Sequence, residues 1–318
     1  MHSYSLIAPA KINLYLEILG DRADGYHELV MLLQSISLAD RLELRANGRQ
    51  AFRIHCDSPQ MPPQEQNLAY KAAQVMSQQF PDSFHQFGGV DITIEKHIPV
   101  SAGLAGGSTN AAAVLVGLNL MWELGLTQPE LQEIAAQLGS DIPFCISGGT
   151  AIATGRGECL DPINSPDWLW VVLAKYRSLE ISTPWAYNTY RQQFGDTYLT
   201  DADSIQSRAS RVHSSPLVEA IVGQNGAQIG QQLYNDLEKV VLPEHPKIAR
   251  LKGALQRSGV LGTLMSGSGS TVFALCDSQA QAERIKQELT DDLTDPDLGL
   301  WVAQLCSNGI HVGAVAKK

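Results

Sequence analysis

An α+β fold divided into two domains is what the sequence predicts, on three observations. Val90 to Lys96, VDITIEK, alternates apolar Val90, Ile92 and Ile94 with polar partners, the pattern of a half-buried strand. It leads into a glycine-rich stretch, PVSAGLAGGSTNAAA (Pro99 to Ala113), which opens into Ala, Val and Leu at helical spacing. Further on, the pattern starts afresh with a strongly apolar strand in SPDWLWVVLAK (Ser165 to Lys175), and more helices and strands follow. A chain of 318 residues with 44% hydrophobic content fills two cores more comfortably than one. The boundary is placed near residue 160, giving units of 1–160 and 161–318.

Lys11 to Ile18 reads as a strand, with Ile12, Leu14, Leu16 and Ile18 on one face and Asn13, Tyr15 and Glu17 on the other. Asp21 to Glu28, DRADGYHE, is a polar turn, after which LVMLLQSISLADRLEL resumes strand character. Leu68, Ala72, Val75, Met76 and Phe80 recur at helical spacing, and Asn67 is placed as their N-cap. Ser108 to Leu124 reads as a helix rich in alanine, suited to close packing on a sheet, with Gly125 as its C-cap. Thr127 and Glu130 form a capping box for a short helix that Gly139 closes. Asp201 to Pro216 has little periodicity and is expected to be a loose connection. Helical patterns return in NDLEKVVL and HPKIARLKGALQRSG, and Leu264 to Leu275 is a second glycine–serine turn followed by a strand. Gln279 to Leu289 is the last helix, and GIHVGAV closes the α+β second unit.

Composition narrows the function. Charged residues make up 18% and the net charge is −10, which argues against non-specific nucleic-acid binding. A phosphorylated ligand stays open, because a local lysine and a helix N-terminus outweigh a mildly acidic surface. No apolar run approaches the ~18 residues of a membrane span, and the N-terminus lacks a signal-type or transit segment, so a cytoplasmic protein is expected. Cys56, Cys145, Cys159, Cys276 and Cys306 are scattered without a CxxC, and read as buried small hydrophobes rather than a zinc site.

Strand, glycine-rich loop and helix start together make an anion cradle. Glycines let backbone N–H groups converge on the ligand, and Ser108 and Thr109 add hydroxyls at the positive end of the helix. The loop is neither a P-loop, since no Gly-Lys-Ser/Thr follows, nor the G-x-G-x-x-G dinucleotide fingerprint. A bulky residue at Gly106 is expected to obstruct that approach and to resist a left-handed backbone there. Lys11 at the start of the first strand and Asp141 in GSDIPF are of the types that phosphoryl transfer to an alcohol requires. On the residues alone, Asp141 reads equally as a turn or helix-capping aspartate, and Lys11 as a solvent-facing strand lysine.

Four ordered motifs carry a resemblance that spans nearly the whole chain: APAKINLYLEILGDRADGYHEL at 8–29, PVSAGLAGGSTNAA at 99–112, GSDIPF at 139–144 and SGSGSTVFAL at 266–275. The sequence resembles the galactokinase, homoserine kinase, mevalonate kinase and phosphomevalonate kinase (GHMP) superfamily. Its DGYH segment is similar to that of the branch acting on 4-diphosphocytidyl-2-C-methyl-D-erythritol (CDP-methylerythritol). The resemblance implies a ribosomal-protein-S5-like N-terminal domain with a left-handed crossover and a ferredoxin-like C-terminal domain. It implies ATP and Mg²⁺, with the metal ligands left unnamed, and transfer to the 2-hydroxyl of that small-molecule substrate in non-mevalonate isoprenoid precursor synthesis. It also implies a catalytic pair in Lys11 and Asp141, and substrate contacts from Asn13 beside them and from Tyr26, His27, Thr183 and Tyr187. Gly103, Gly106, Gly107, Ser108 and Thr109 match the phosphate loop, while Asn67 and Lys96 match positions near the adenine. Taken without the motif, Tyr187 reads as an ordinary core aromatic. No nucleic acid, membrane or obligate protein partner is implied. The rivals are a relative acting on mevalonate or homoserine, and a nucleotide-binding protein that has lost catalysis. The loop departs from many relatives in carrying Ala102 and Ala105 where they have more glycine.

Overall fold

The computed structural model describes residues 3–313, so Ala314 and Val315 of the closing GIHVGAV lie outside it. Strands β1 (Ser3–Asp21) and β2 (His27–Ala46) pair antiparallel along most of their length. β1 begins well before Lys11, because Leu6, Ala8 and Ala10 are fully buried. The expected single apolar face of β1 does not hold. A register shift between Asn13 and Tyr15 puts Ile12 and Leu14 in one core cluster and Leu16 and Ile18 in another. One extra residue reverses the alternation of a strand, so Leu16 joins Lys11 and Asn13 on the same face.

The short β3 (Arg53–Cys56) runs on through α1 (Leu68–Gln79) and α2 (Pro81–Phe87) to β4 (Val90–Glu95), which lies parallel to it. Asn67 caps α1 as expected, its Oδ1 accepting from the Ala69 N–H at 2.9 Å. Helix α3 (Gly106–Met121) packs against β1 and α1. A Cβ on Gly117 would stand 2.5 Å from Leu44 Cδ2, which shows how closely the helix approaches the sheet. α3 stops short of the expected Leu124: Trp122 is its C-cap and Glu123 turns left-handed at φ 52°. Gly125 therefore sits in the next turn, where the Asn119 side chain holds Leu126 through its N–H at 3.0 Å and its carbonyl at 3.1 Å. In α4 (Gln128–Ala136) the Glu130 carboxylate accepts from the Thr127 N–H at 2.8 Å, as the capping box predicts, and from the Thr127 hydroxyl in addition. Then come α5 (Ile142–Ser147), β5 (Thr150–Gly155) and β6 (Cys159–Ile163), with β5 pairing to β2.

β7 (Trp170–Tyr176) opens the second sheet and leads into α6 (Thr183–Phe194). Residues 201–216 are not a loose connection. Asp201 caps α7 (Ala202–Arg211) by accepting from the Ser204 N–H, and Ser215 caps α8 (Pro216–Val222). α7 buries no residue fully, but Ile205 and Ala209 pack on the core, a tertiary contact too sparse to register as periodicity. Next are α9 (Gly226–Gln231), β8 (Tyr234–Asn235), α10 (Glu238–Glu244) and α11 (Pro246–Arg257). β9 (Gly262–Met265), β10 (Val272–Cys276), α12 (Gln279–Asp292), β11 (Leu298–Gln304) and β12 (His311–Val312) complete the chain. The second sheet has the order β11-β7-β10-β9, antiparallel throughout, which is the ferredoxin-like arrangement. β8 and β12 both pair with β1, so the two halves of the chain are laced together beside the Lys11 face. All five cysteines are free; only Cys145 and Cys276 are buried and Cys159 is exposed, so the expectation of five buried thiols fails.

Candidate active site

A cleft of about 860 Å³ lies between the two sheets, bounded by the glycine-rich loop, β1, the β1–β2 turn, the N-terminus of α6 and the 266–271 turn. Its loop is seated by a close contact that only glycine permits. Gly103 has φ 72°, and a Cβ there would stand 2.2 Å from the carbonyl oxygen of Ser266. The Ser266 hydroxyl donates to the Gly103 carbonyl at 3.0 Å, and the Lys11 N–H donates to that of Leu104 at 3.1 Å. The left-handed residue before α3 is Ala105 at φ 57°, not Gly106, which correctly needs no such backbone. Space is tight at Gly106 instead: a Cβ would lie 3.1 Å from both Lys96 Nζ and Ile98 Cγ2, side-chain ends that would have to give way.

Lys11 and Asp141 meet in this cleft. The Lys11 side chain is 5% exposed, its Nζ donating to Asn13 Oδ1 at 2.8 Å and standing 3.7 Å from Asp141 Oδ2. Asp141 occupies the N-cap position of α5, yet its side chain caps no backbone N–H. It faces the ammonium instead. Lys11 is thus no solvent-facing strand lysine, and Asp141 no capping aspartate. Gly267, left-handed at φ 55°, lies beside Lys11 and Asn13: a Cβ there would stand 3.4 Å from both Lys11 Nζ and Asn13 Oδ1.

The β1–β2 turn brings Tyr26 and His27 to the opposite end. Gly25 turns left-handed at φ 84°, and Arg191 on α6 donates to its carbonyl at 3.1 Å and to Asp21 Oδ1 at 2.7 Å. That tie carries the turn to α6, where the His27 and Tyr187 rings lie 5.1 Å apart. Burial, and then the positive charge of Arg191, pushes the His27 imidazole below its ordinary pKa of 6.5, with Asp21 opposing. His27 is 7% exposed and lines the cleft; its buried Nε2 makes no hydrogen bond in the protein, with Asp21 Oδ1 standing 3.6 Å away. Burial likewise raises the Tyr187 phenol, keeping it protonated. Thr183 lines the cleft at the start of α6, with its hydroxyl 2.8 Å from that of Ser268.

At the glycine-loop end, Gly107 and Ser108 line the cleft with Asn67 and Lys96. The Asn67 Nδ2 is buried and unpartnered, a donor left over after its oxygen caps α1. Thr109 does not join them: it is fully buried one residue further into α3, outside the cleft lining. Lys96 is paired with Asp40, a fully buried carboxylate that also accepts from the His97 and Ile98 N–H groups and from Asn110 Nδ2 at 2.8 Å. The sequence reading missed Asp40; an acid interrupting the apolar run SISLAD was its only signal. It missed Arg156 as well, which lines the cleft beside Tyr26. Among the described lining residues the cations are Lys11, Lys96 and Arg156 and the one acid is Asp141, so the cleft runs against the chain's net charge of −10.

Comparison with known proteins places this architecture. A family model described as "GHMP kinases N terminal domain" matches residues 67–149, and one described as "GHMP kinases C terminal" matches 217–295. The 4-diphosphocytidyl-2-C-methyl-D-erythritol kinase of Gloeothece citriformis is 65% identical over 98% of this chain and 99% of its own. The chain belongs to the 4-diphosphocytidyl-2-C-methyl-D-erythritol kinases. The enzyme of the same name from Trichodesmium erythraeum is 59% identical over the same share of both chains. A crystal structure of a 4-(cytidine 5'-diphospho)-2C-methyl-D-erythritol kinase superposes with a TM-score of 0.74 at 31% identity, covering 95% of this chain and 98% of that one. The homoserine kinase of Cytophaga hutchinsonii, at 20% identity and a TM-score of 0.73, shares the fold.

Proposed function

We infer that this GHMP kinase transfers the γ-phosphoryl group of ATP to the 2-hydroxyl of 4-diphosphocytidyl-2-C-methyl-D-erythritol, a step in non-mevalonate isoprenoid precursor synthesis. The observation that carries the mechanism is the Lys11–Asp141 approach of 3.7 Å in a cleft that the glycine-rich loop and the Tyr26, His27 and Tyr187 rings also line. Asp141 accepts the hydrogen bond of the 2-hydroxyl, orients its oxygen and takes its proton as the new O–P bond forms. Lys11, steered by Asn13, offsets the charge on the attacking and transferring oxygens while the bond to the ADP leaving oxygen breaks. Backbone N–H groups of Gly103, Gly106, Gly107 and Ser108 cradle the phosphates, while Asn67 and Lys96 border the adenine. Thr109 serves the loop only from behind, through its place in α3.

The donor set suits Mg²⁺ delivered with ATP. That cation is held mainly by phosphates and one or two oxygen ligands, and the cleft offers the Asp141 carboxylate and the Ser108 hydroxyl. Among the described residues no cluster of three or more His, Cys, Asp or Glu forms a separate cage. Bound there, Mg²⁺ would neutralise charge building on the transferred group.

At the far end, Tyr26 and Tyr187 supply flat faces for the cytosine, neutral His27 bonds its edge, and Thr183 borders the diphosphate side. Tyr187→Ala is expected to raise KM for the cytidine substrate roughly tenfold while KM for ATP barely moves, since a base–aromatic contact is worth on the order of 1–3 kcal/mol. Equal shifts in both KM values would dissociate Tyr187 from the cytosine. Because the folded pKa of His27 lies below 6.5, KM for this substrate should stay flat as pH falls to 6.5 and rise only below it. The unfolded chain protonates first, so His27 contributes stability that is full above about pH 6.5 and lost as pH falls. A KM rise centred at or above neutral pH would contradict the neutral-ring assignment.

The division into 1–160 and 161–318 belongs to the same reading, with the second unit completing the substrate end of the cleft; two separate sheets support a division near there, although β6 (Cys159–Ile163) straddles that boundary within the first sheet and β8 and β12 cross back. No described helix is long and apolar enough to cross a membrane. A cytoplasmic enzyme with small-molecule partners alone is the reading we adopt.

A further inference from the structure

Tyr26 is 55% exposed at the tip of the β1–β2 turn, an unusual place for a ring that must present a flat face to a ligand. Its backbone is tied down, with its N–H donating to Asp24 Oδ1 at 3.1 Å and its carbonyl accepting from Arg22. Its ring is covered by one group in particular: the Arg156 guanidinium carbon lies 4.9 Å from the ring centroid. Arg156 is itself anchored. Glu158 accepts from the Arg156 N–H at 2.6 Å through Oε2 and stands 3.4 Å from its Nε through Oε1. That carboxylate lies where a Cβ on Gly155 would be, 2.9 Å away, so the left-handed Gly155 at φ 70° makes room for it. The β5–β6 turn therefore reaches across the cleft mouth and fixes the one aromatic ring that solvent would otherwise leave mobile.

We propose that Arg156 is a positioning residue for substrate specificity: buttressed by Glu158, it stacks on Tyr26 and holds that ring ready for the cytosine. This rests on the reading of Tyr26 as a face of the cytidine pocket. A planar cation on one face of a ring lowers the cost of ordering it and keeps the ring free to stack on its other face. Arg156 acts through Tyr26 rather than on the reacting atoms, so its effect belongs in substrate binding and not in the chemical step.

The test is a double-mutant cycle with purified full-length protein, 4-diphosphocytidyl-2-C-methyl-D-erythritol and ATP. Arg156→Ala should raise KM for the cytidine substrate about fivefold or more, with kcat and KM for ATP unchanged. Adding Arg156→Ala to Tyr26→Ala should cost nothing further, because the ring it positions is gone. Arg156→Lys keeps the charge but loses the plane, and should recover little of the loss. Full recovery by lysine, or additive effects in the double mutant, would assign Arg156 to the substrate's diphosphate and overturn the proposal. A KM for Arg156→Ala within twofold of wild type would overturn it as well. A wild-type protein that does not turn over the cytidine substrate would instead overturn the reading beneath it, and the proposal with it.

Discussion

Asp141→Asn is expected to lower kcat by about 10² or more, the usual order for losing a positioned proton-transfer or electrostatic group. The substitution keeps size and most hydrogen bonding but removes the charge that faces Lys11 Nζ at 3.7 Å. The aspartate caps no backbone N–H, so α5 loses no capping bond and folding should survive. Lys11→Ala should cost a similar factor, with an added stability loss because it leaves Asn13 Oδ1 without its 2.8 Å donor. Both ligands should still bind, since the adenine, phosphate and cytosine contacts lie on other residues. The double mutant should lose less than the two singles combined, because the pair serves one proton transfer. Single-turnover transfer, followed by rapid quench, isolates the step from product release; a rate for Asp141→Asn within about twofold of wild type would reduce the aspartate to a loop residue.

Gly103→Ala is expected to weaken ATP binding roughly a hundredfold while leaving the circular dichroism spectrum native. The left-handed backbone at φ 72° costs alanine about 1–2 kcal/mol. Worse, the added methyl would overlap the Ser266 carbonyl oxygen at 2.2 Å, and a backbone oxygen cannot swing aside as a side chain can. The loop must lift from the 266–271 turn, and the N–H groups aimed at phosphate move with it. Losing one or two charge-assisted bonds is by itself worth about 3 kcal/mol of affinity, a factor of roughly a hundred, while the backbone strain falls on stability. Gly106→Val should be milder, because its neighbours are the ends of Lys96 and Ile98 side chains. Calorimetric ATP titration of both variants checks the ranking; equal loss, or retained affinity in Gly103→Ala, would show that the loop contact does not set the cradle.

The sequence carried those parts of the molecule whose causes are local. β4 shows its alternation, Asn67 its cap and Thr127 with Glu130 their reciprocal bond, because each depends on neighbours within a few residues. The glycine-rich loop leading into α3 was legible for the same reason. What was hidden depends on partners far along the chain. The turn of β1 at Asn13 is a bulge against β2, and it alone puts Leu16 on the cleft face. α7 is held by Ile205 and Ala209 docking on a distant core rather than by its own pattern. The left-handed residue before α3 is Ala105 rather than Gly106, a choice that the run of small residues does not reveal. Asp40 gains its meaning only when Lys96, the 97–98 backbone and Asn110 converge on it, and Arg156 only when the β5–β6 turn meets Tyr26.

If this cleft joins ATP to one alcohol, a panel of candidate substrates will show it. Purified protein with ATP and Mg²⁺ is offered 4-diphosphocytidyl-2-C-methyl-D-erythritol, mevalonate or homoserine, with ADP release and the ³¹P spectrum recorded together. ADP formation is expected with the cytidine compound alone, together with one new phosphomonoester resonance on its 2-oxygen. Equal use of mevalonate or homoserine, or ADP release without that resonance, would contradict it.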